Sequence, residues 1–394
     1  MFKFTSVLLG GLLLPFMLFA APPGKPDIVV MTQNQYLGAD LVPIISAGTV
    51  EEYNLELIQA LFTVANNNAP ERVDALAETI LERMPHLVGL QEMFLFECFE
   101  SGTPAGDCSL FDAAMNDHLA LTMATLGSEY YVAGVVDNLD LPGLPVFLDN
   151  DALPDVYIRV LDRDIILARS DIDTEVVPFP CTWPDEEPTP SADGCNYHEI
   201  ASAPLPGGAV IDIQRGYVGV DATVNGKDYR FVNTHLEVQY PAPSQDAPLV
   251  QAAQATELLV TLAAFPLPPK TKLLMVGDIN SNPLSPVFQT SGGWMAYPPY
   301  MQFTMGRIIT GEQISPPYTD IWPLRPGKSP GLTCCQVADL SNDDSALYER
   351  IDVVFSLDVP KRVKANVLDN DPEDKTLSGL WPSDHASLVG RIQY

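Results

Sequence analysis

The sequence predicts an α+β fold of two packed sheets flanked by helices. Three observations lead there. Strand-like apolar runs alternate with helical patterns along most of the chain. Hydrophobic residues make up 46%, enough for a sizeable core. Two long irregular stretches, 173–210 and 281–346, read as elaborated surface loops on one domain.

The elements follow in order. Ile28 to Thr32 is a buried strand that ends at Asn34. Residues 51–66 and 71–83 carry apolar positions at helical spacing, with Pro70 between them. His86 to Leu90 is a strand running into Gln91 and Glu92, and 111–125 is a further helix. Strand-like runs follow at 130–136, 156–160, 164–168, 217–223 and 229–236, the last two joined by an Asn225-Gly226 turn. A helix at 249–264 precedes the strand Lys272 to Val276. The last strands are Ile351 to Phe355 and Ala386 to Ile392.

The N-terminus reads as an export signal. Lys3 gives a basic start, Val7 to Phe19 is almost entirely apolar, and Ala20 and Ala21 precede Pro22. An uncleaved anchor is the other reading, but the run is short of the ~20 residues of a span. The expectation is therefore a signal peptide at 1–21, a single domain at 22–394, and a secreted protein, periplasmic or extracellular. Six cysteines fit an exported chain with disulfides. Local closure favours Cys98–Cys108 and Cys181–Cys195, while Cys334 and Cys335 are placed to bond each other or to reach elsewhere. No C-x-x-C pair supports a zinc site.

The formal charge is −30, from 21 basic and 51 acidic residues. That argues against a protein that coats nucleic acid through Lys and Arg contacts. It leaves room for an enzyme that holds one phosphate at a metal, because a bound cation inverts the local field.

Polar residues recur where apolar strands end. Asn34, Gln91-Glu92, Asn233-Thr234-His235 and Gly277-Asp278-Ile279-Asn280 each follow a strand, and Arg350-Ile351-Asp352 and Ser383-Asp384-His385 each open one. Strand ends are rigid platforms on which distant side chains converge. Their carboxylates, amides and two imidazoles suit a hard, oxygen-ligated cation such as Mg²⁺ beside a histidine.

In this order the six motifs resemble the endonuclease/exonuclease/phosphatase superfamily. That group includes pancreatic-type deoxyribonucleases, abasic-site endonucleases, bacterial sphingomyelinases and inositol-polyphosphate 5-phosphatases. The resemblance runs from about residue 27 to about residue 392, with Ile279 where the family usually has Phe. Met31–Leu41 and Gly331–Gln336 also look like a subgroup of exported bacterial members.

The resemblance implies a four-layer α/β/β/α sandwich of two mostly antiparallel sheets. It implies a Mg²⁺ cofactor, with Mn²⁺ or Ca²⁺ as alternatives, held by Glu92 with Asn34 and Asp384. His235 and His385 would flank the scissile phosphate, and Asp352 would orient His385. Asp278 and Asn280 would position water or phosphate, and Arg215, with Asn34 and Asn280, would bind phosphate. The implied substrate is a phosphoester: a nucleic acid, a phospholipid headgroup or a small metabolite. No obligate protein partner is evident. A lipid-active enzyme would add peripheral membrane contact, for which residues 292–303 are the candidate, though Trp294, Tyr297 and Tyr300 read first as loop packing and second as a substrate-facing apolar rim.

Two rival classes are weaker. Gly327-Lys328-Ser329-Pro330-Gly331 fits the G-x-S-x-G pattern of serine hydrolases, but Pro330 lacks the N–H that the oxyanion needs. A non-catalytic binding module would have lost a catalytic residue, and none is missing. His86, His118 and His198 lie outside any motif and read as structural or solvated.

Overall fold

The computed structural model describes residues 27–149, 153–181, 194–206, 208, 210–239 and 247–394. The leader expected at 1–21 lies outside the described residues. No described helix is long and apolar enough to cross a membrane.

The first part of the chain runs β1 (Asp27–Asn34), α1 (Val42–Ser46), α2 (Val50–Asn66), α3 (Ala69–Arg83), β2 (Leu87–Gln91) and β3 (Leu95–Glu100). After a 3₁₀ turn at Cys108–Ala114 come α4 (His118–Leu126), β4 (Tyr130–Val146) and β5 (Val156–Arg169). Three short strands follow, β6 (Thr174–Val176), β7 (Cys195–Asn196) and β8 (Ala201–Pro204), then β9 (Val210–Ile213), β10 (Gly216–Val224) and β11 (Lys227–His235). The remainder is α5 (Ala247–Ala264), β12 (Lys272–Asp278), β13 (Phe288–Gln289), β14 (Met295–Ala296), α6 (Pro299–Met305), β15 (Thr319–Asp320), β16 (Asp352–Ser356), β17 (Arg362–Leu368) and β18 (Ser387–Gln393).

Two sheets stack face to face. The first has the order β17-β18-β1-β2-β5-β3, with β4 also on β5, and the second has the order β15-β16-β12-β11-β10-β6, with β7 also on β10. Only β1–β2 and β11–β12 pair in parallel within these sheets. Period-two alternation builds the layers. In β1, Ile28 and Val30 enter the core between the sheets while Val29 and Met31 pack outward with Ala77 and Ile80 of α3. In β12, Leu274 and Val276 face inward while Leu273 and Met275 pack with Leu258 and Leu259 of α5. The result is the expected four-layer sandwich of two mainly antiparallel sheets between helices.

Near the site the sheets come close. A Cβ on Gly89 would lie 2.5 Å from Val276 Cγ2 and 2.6 Å from Asn233 Oδ1. Across this gap Asn233 Nδ2 donates to the carbonyls of Leu90 (2.9 Å) and Ile165 (3.1 Å), and Gln91 Nε2 donates to Asn233 Oδ1 at 2.6 Å. These buried bonds satisfy polar groups that would otherwise be costly.

Several expected elements differ. The helix at 111–125 is split, because Asp117 caps α4 by accepting from the N–H groups of Leu119 and Ala120. The runs 156–160 and 164–168 are one strand, β5, since the charged residues between them find partners and do not break it. Within 281–346 lie the β13–β14 hairpin and α6, and the described part of 173–210 holds β6, β7 and β8. Cysteines pair as Cys98–Cys108, Cys181–Cys195 and Cys334–Cys335.

Candidate active site

The strand ends β1, β2, β11 and β12 and the starts of β16 and β18 meet at one mouth of the sandwich. Their register explains why. His235 lies opposite Asp278 in the β11–β12 pair, and Asp278 lies opposite Asp352 in the β12–β16 pair. Asn34 lies opposite Gln91 in the β1–β2 pair.

One oxygen is central. Asp278 Oδ2 lies 3.6 Å from His235 Nε2, 3.7 Å from His385 Nε2 and 3.3 Å from Asn34 Nδ2. Asn34 Nδ2 also donates to Glu92 Oε1 at 3.0 Å, while the other Glu92 oxygen accepts from Leu37 N–H at 2.9 Å. The Asn34 side-chain oxygen accepts from Tyr36 N–H. Asn34 thus braces Glu92 and Asp278 together. Glu92 itself has a positive φ of 57° and Asn280 one of 49°, and such strained backbone gathers at functional sites.

The two imidazoles differ. His385 Nδ1 is 2.8 Å from Asp352 Oδ2. Burial opposes charging His385, but Asp352, Asp384 and Asp278 outweigh it and hold its pKa well above the usual histidine range. Arg215 Nη1 lies 3.2 Å from His235 Nδ1 and Asn280 Nδ2 lies 3.2 Å from its Nε2, and a neutral ring accepts at only one of these nitrogens. Burial, then Arg215 and His385, push its pKa well below the usual range.

The carboxylates are crowded. Burial, then Asp352, push Asp278 up to about 7 against the pull of His385. Burial pushes Asp384 up to about 7 as well, with Glu92 adding to the effect. Asp278, Asp352 and His385 offer ligand atoms within 4.8 Å of one another. Glu92 and Asp384 repel each other too, and a divalent cation relieves such crowding of carboxylates. The residues therefore fit such an ion. Cys334 and Cys335 also lie beside His385, but they are bonded to each other and give no thiolate pair.

Sequence-predicted residues Asn34, Glu92, His235, Asp278, Asn280, Asp352 and His385 are brought together, and Asp384 lines the neighbouring cavity with Glu92. Arg215 is placed differently from a free phosphate clamp: its guanidinium is engaged by Asp162 at 3.3 Å and Glu237 at 3.6 Å as well as by His235. Asp352 pairs with His385, while Arg350 pairs with Asp320 at 2.7 Å. Ser329 is exposed in a loop, and Asp384 and His385 belong to the acidic cluster.

Sequence reasoning missed the supports. Thr333 Oγ1 accepts from the N–H groups of Ile351 and Asp352, and Ala386 N–H donates to Thr333 O, so the 331–336 segment frames Asp352 and His385. Buried Arg72 donates to the carbonyls of Gln35, Asn67 and Pro382 beneath Asn34 and Asp384. Asp162 and Asp164 are buried in β5, where burial pushes Asp162 up to about 6 and Asp164 well above the usual carboxylate range. The Asp162-Arg163-Asp164 triplet was the available signal, a charged run inside apolar sequence. Two further histidines are built into the fold: His86 Nδ1 accepts from Val29 N–H, and burial pulls His118 down to about 3.

No protein-family model matches the chain. No curated protein matches it. Solved structures that align with it include a humanized D. rerio TDP2, at 12% identity over 94% of this chain and 100% of that chain, TM-score 0.47. An endonuclease/exonuclease/phosphatase from Beutenbergia cavernae aligns at 18% identity over 94% of this chain and 72% of that chain, TM-score 0.46. The human Nocturnin catalytic domain aligns at 16% identity over 94% and 95%, TM-score 0.47. The expectation of a secreted protein is withdrawn, since none of these likenesses supports it. What the chain's own geometry gives is a sandwich whose buried acid and histidine cluster is consistent with metal-assisted phosphoester hydrolysis.

Proposed function

We propose that the protein is a divalent-metal-dependent phosphoester hydrolase, built as one catalytic domain over 22–394. One observation carries this: a carboxylate, Asp278, stands between two imidazoles whose surroundings drive their proton affinities apart. Such divergence marks a proton acceptor and a proton donor.

Glu92 and Asp384 would hold the ion, Mg²⁺ first, with Asn34 keeping Glu92 in place. When bound, the ion would neutralise part of the phosphate charge that repels a nucleophile. Water attacks phosphorus in line and the bond to the leaving oxygen breaks. His235, kept neutral with its hydrogen on Nδ1, accepts at Nε2 the proton that the water loses. His385, kept cationic by Asp352, gives its Nε2 proton to the leaving oxygen. Asp278 and Asn280 position the water and the phosphate. Arg215 tunes His235 through its contact with Nδ1.

A panel of bis-p-nitrophenyl phosphate, plasmid DNA and sphingomyelin, each with and without EDTA, tests the reading. Turnover that EDTA removes and Mg²⁺ restores is expected, with inversion at a chiral phosphorothioate. Full activity in Glu92→Ala or His385→Ala would overturn it.

A further inference from the structure

A cavity of about 590 Å³ opens beside the site. This falls in the roughly 300–1,000 Å³ range of small-molecule sites. Its two ends differ in chemistry. One end is lined by Glu92, Asp162, Arg215, Glu237 and Asp384. Most of the rest is walled by aliphatic and aromatic side chains from α1, α2, β3, β4, β5 and β9, such as Ile45, Leu57, Phe96, Leu144, Ile158 and Ile213, with Asp40 and Gln336 as polar exceptions. Leu41 and Val42, which also line it, are 39% and 42% exposed. Concave apolar surface left open to water marks a binding site.

The occupant must match both ends. A nucleobase sunk among Leu57, Leu144 and Ile158 would lose the hydrogen bonds of its polar edge. A hydrocarbon chain loses nothing there and gains by leaving water. We propose that the cavity takes the single hydrocarbon tail of an amphiphilic phosphoester, whose phosphate then lies at the end lined by Glu92, Arg215 and Asp384, where a bound cation would offset the two carboxylates. This rests on the hydrolase reading and names its substrate class. The tail is held inside the sandwich end, between the α1–α2 arm and the long β4–β5 ribbon. The 292–303 segment is not part of this wall.

The test is a series of p-nitrophenyl alkyl phosphodiesters from ethyl to hexadecyl, assayed with Mg²⁺ on the full chain. Each added methylene should raise kcat/KM by about three- to fourfold until the tail outgrows the cavity. Leu144→Trp on β4 and Ile213→Trp on β9 each fill it from a different wall, and each should bring the hexadecyl-to-ethyl ratio down at least tenfold. Offering the hexadecyl ester free and in phosphatidylcholine vesicles separates a tail drawn from solution from one drawn from a bilayer, and tail dependence in either supports the proposal. Measurable turnover with a flat series, or plasmid DNA cleaved faster than the hexadecyl ester, overturns the tail site and leaves the hydrolase reading standing. Absence of turnover with every member overturns both.

Discussion

His385 Nδ1 lies 2.8 Å from Asp352 Oδ2, with Asp352 fully buried at the start of β16. The contact fixes which ring nitrogen faces the site and stabilises the charged imidazole. Asp352→Asn keeps the shape and removes the charge. It should lower kcat by about 10²–10⁴-fold, the usual worth of a positioned acid or base, with a smaller change in KM. Steady-state kinetics checks this, and equal losses in kcat and 1/KM would count against it.

Glu92 stands apart from the protonation pair, at the braced corner with Asn34. Glu92→Gln is close in shape but weakens a hard-cation site. The variant should need at least tenfold more Mg²⁺ for half-maximal activity. The Mg²⁺-induced rise in melting temperature should shrink in parallel, a readout that does not require turnover.

Arg72 is a buried cation that donates 2.7 Å and 2.9 Å bonds to the carbonyls of Asn67 and Pro382. Burial pulls its pKa down to about 10, so it stays charged at neutral pH. Arg72→Met leaves those carbonyls and Asp384 without it. Denaturant unfolding should show a loss of roughly 3–5 kcal/mol.

Asp369 is buried and accepts from Thr79 Oγ1 and Ser387 Oγ. Burial raises its pKa from 3.8 to about 6, so the fold favours its protonated form. That contribution is complete below the unfolded value of 3.8 and is lost as pH rises through about 6. Asp369→Asn should therefore gain stability over the parent as pH rises, by roughly 1–3 kcal/mol near pH 8 and little near pH 4. Melting temperatures across this range check it, and a gap independent of pH would refute it.

The layers were legible because apolar runs in β1, β2, β11 and β12 stop at polar residues, and the stops are where the site forms. β17 was not legible: Arg362 and Lys364 are exposed on an edge strand, so only alternate residues are apolar and buried. β5 looked broken at Asp162 and Arg163, because their partners, Arg215 and Asp117, come from other elements. For the same reason Glu237 went unseen as a partner of Arg215, which Asp162 and His235 also contact. Motif order reports who is present, and only packing reports who is engaged.

The absence of a side chain at Gly89 lets the sheets approach until Asn233 reaches across to Leu90 and Ile165. The consequence is a reactive floor that cannot shear or widen to suit a bulkier ligand. Changes in what this protein accepts must then be written in the arm formed by α1 and α2 and in the ribbon opposite, away from Asp162 and the Arg215 it holds.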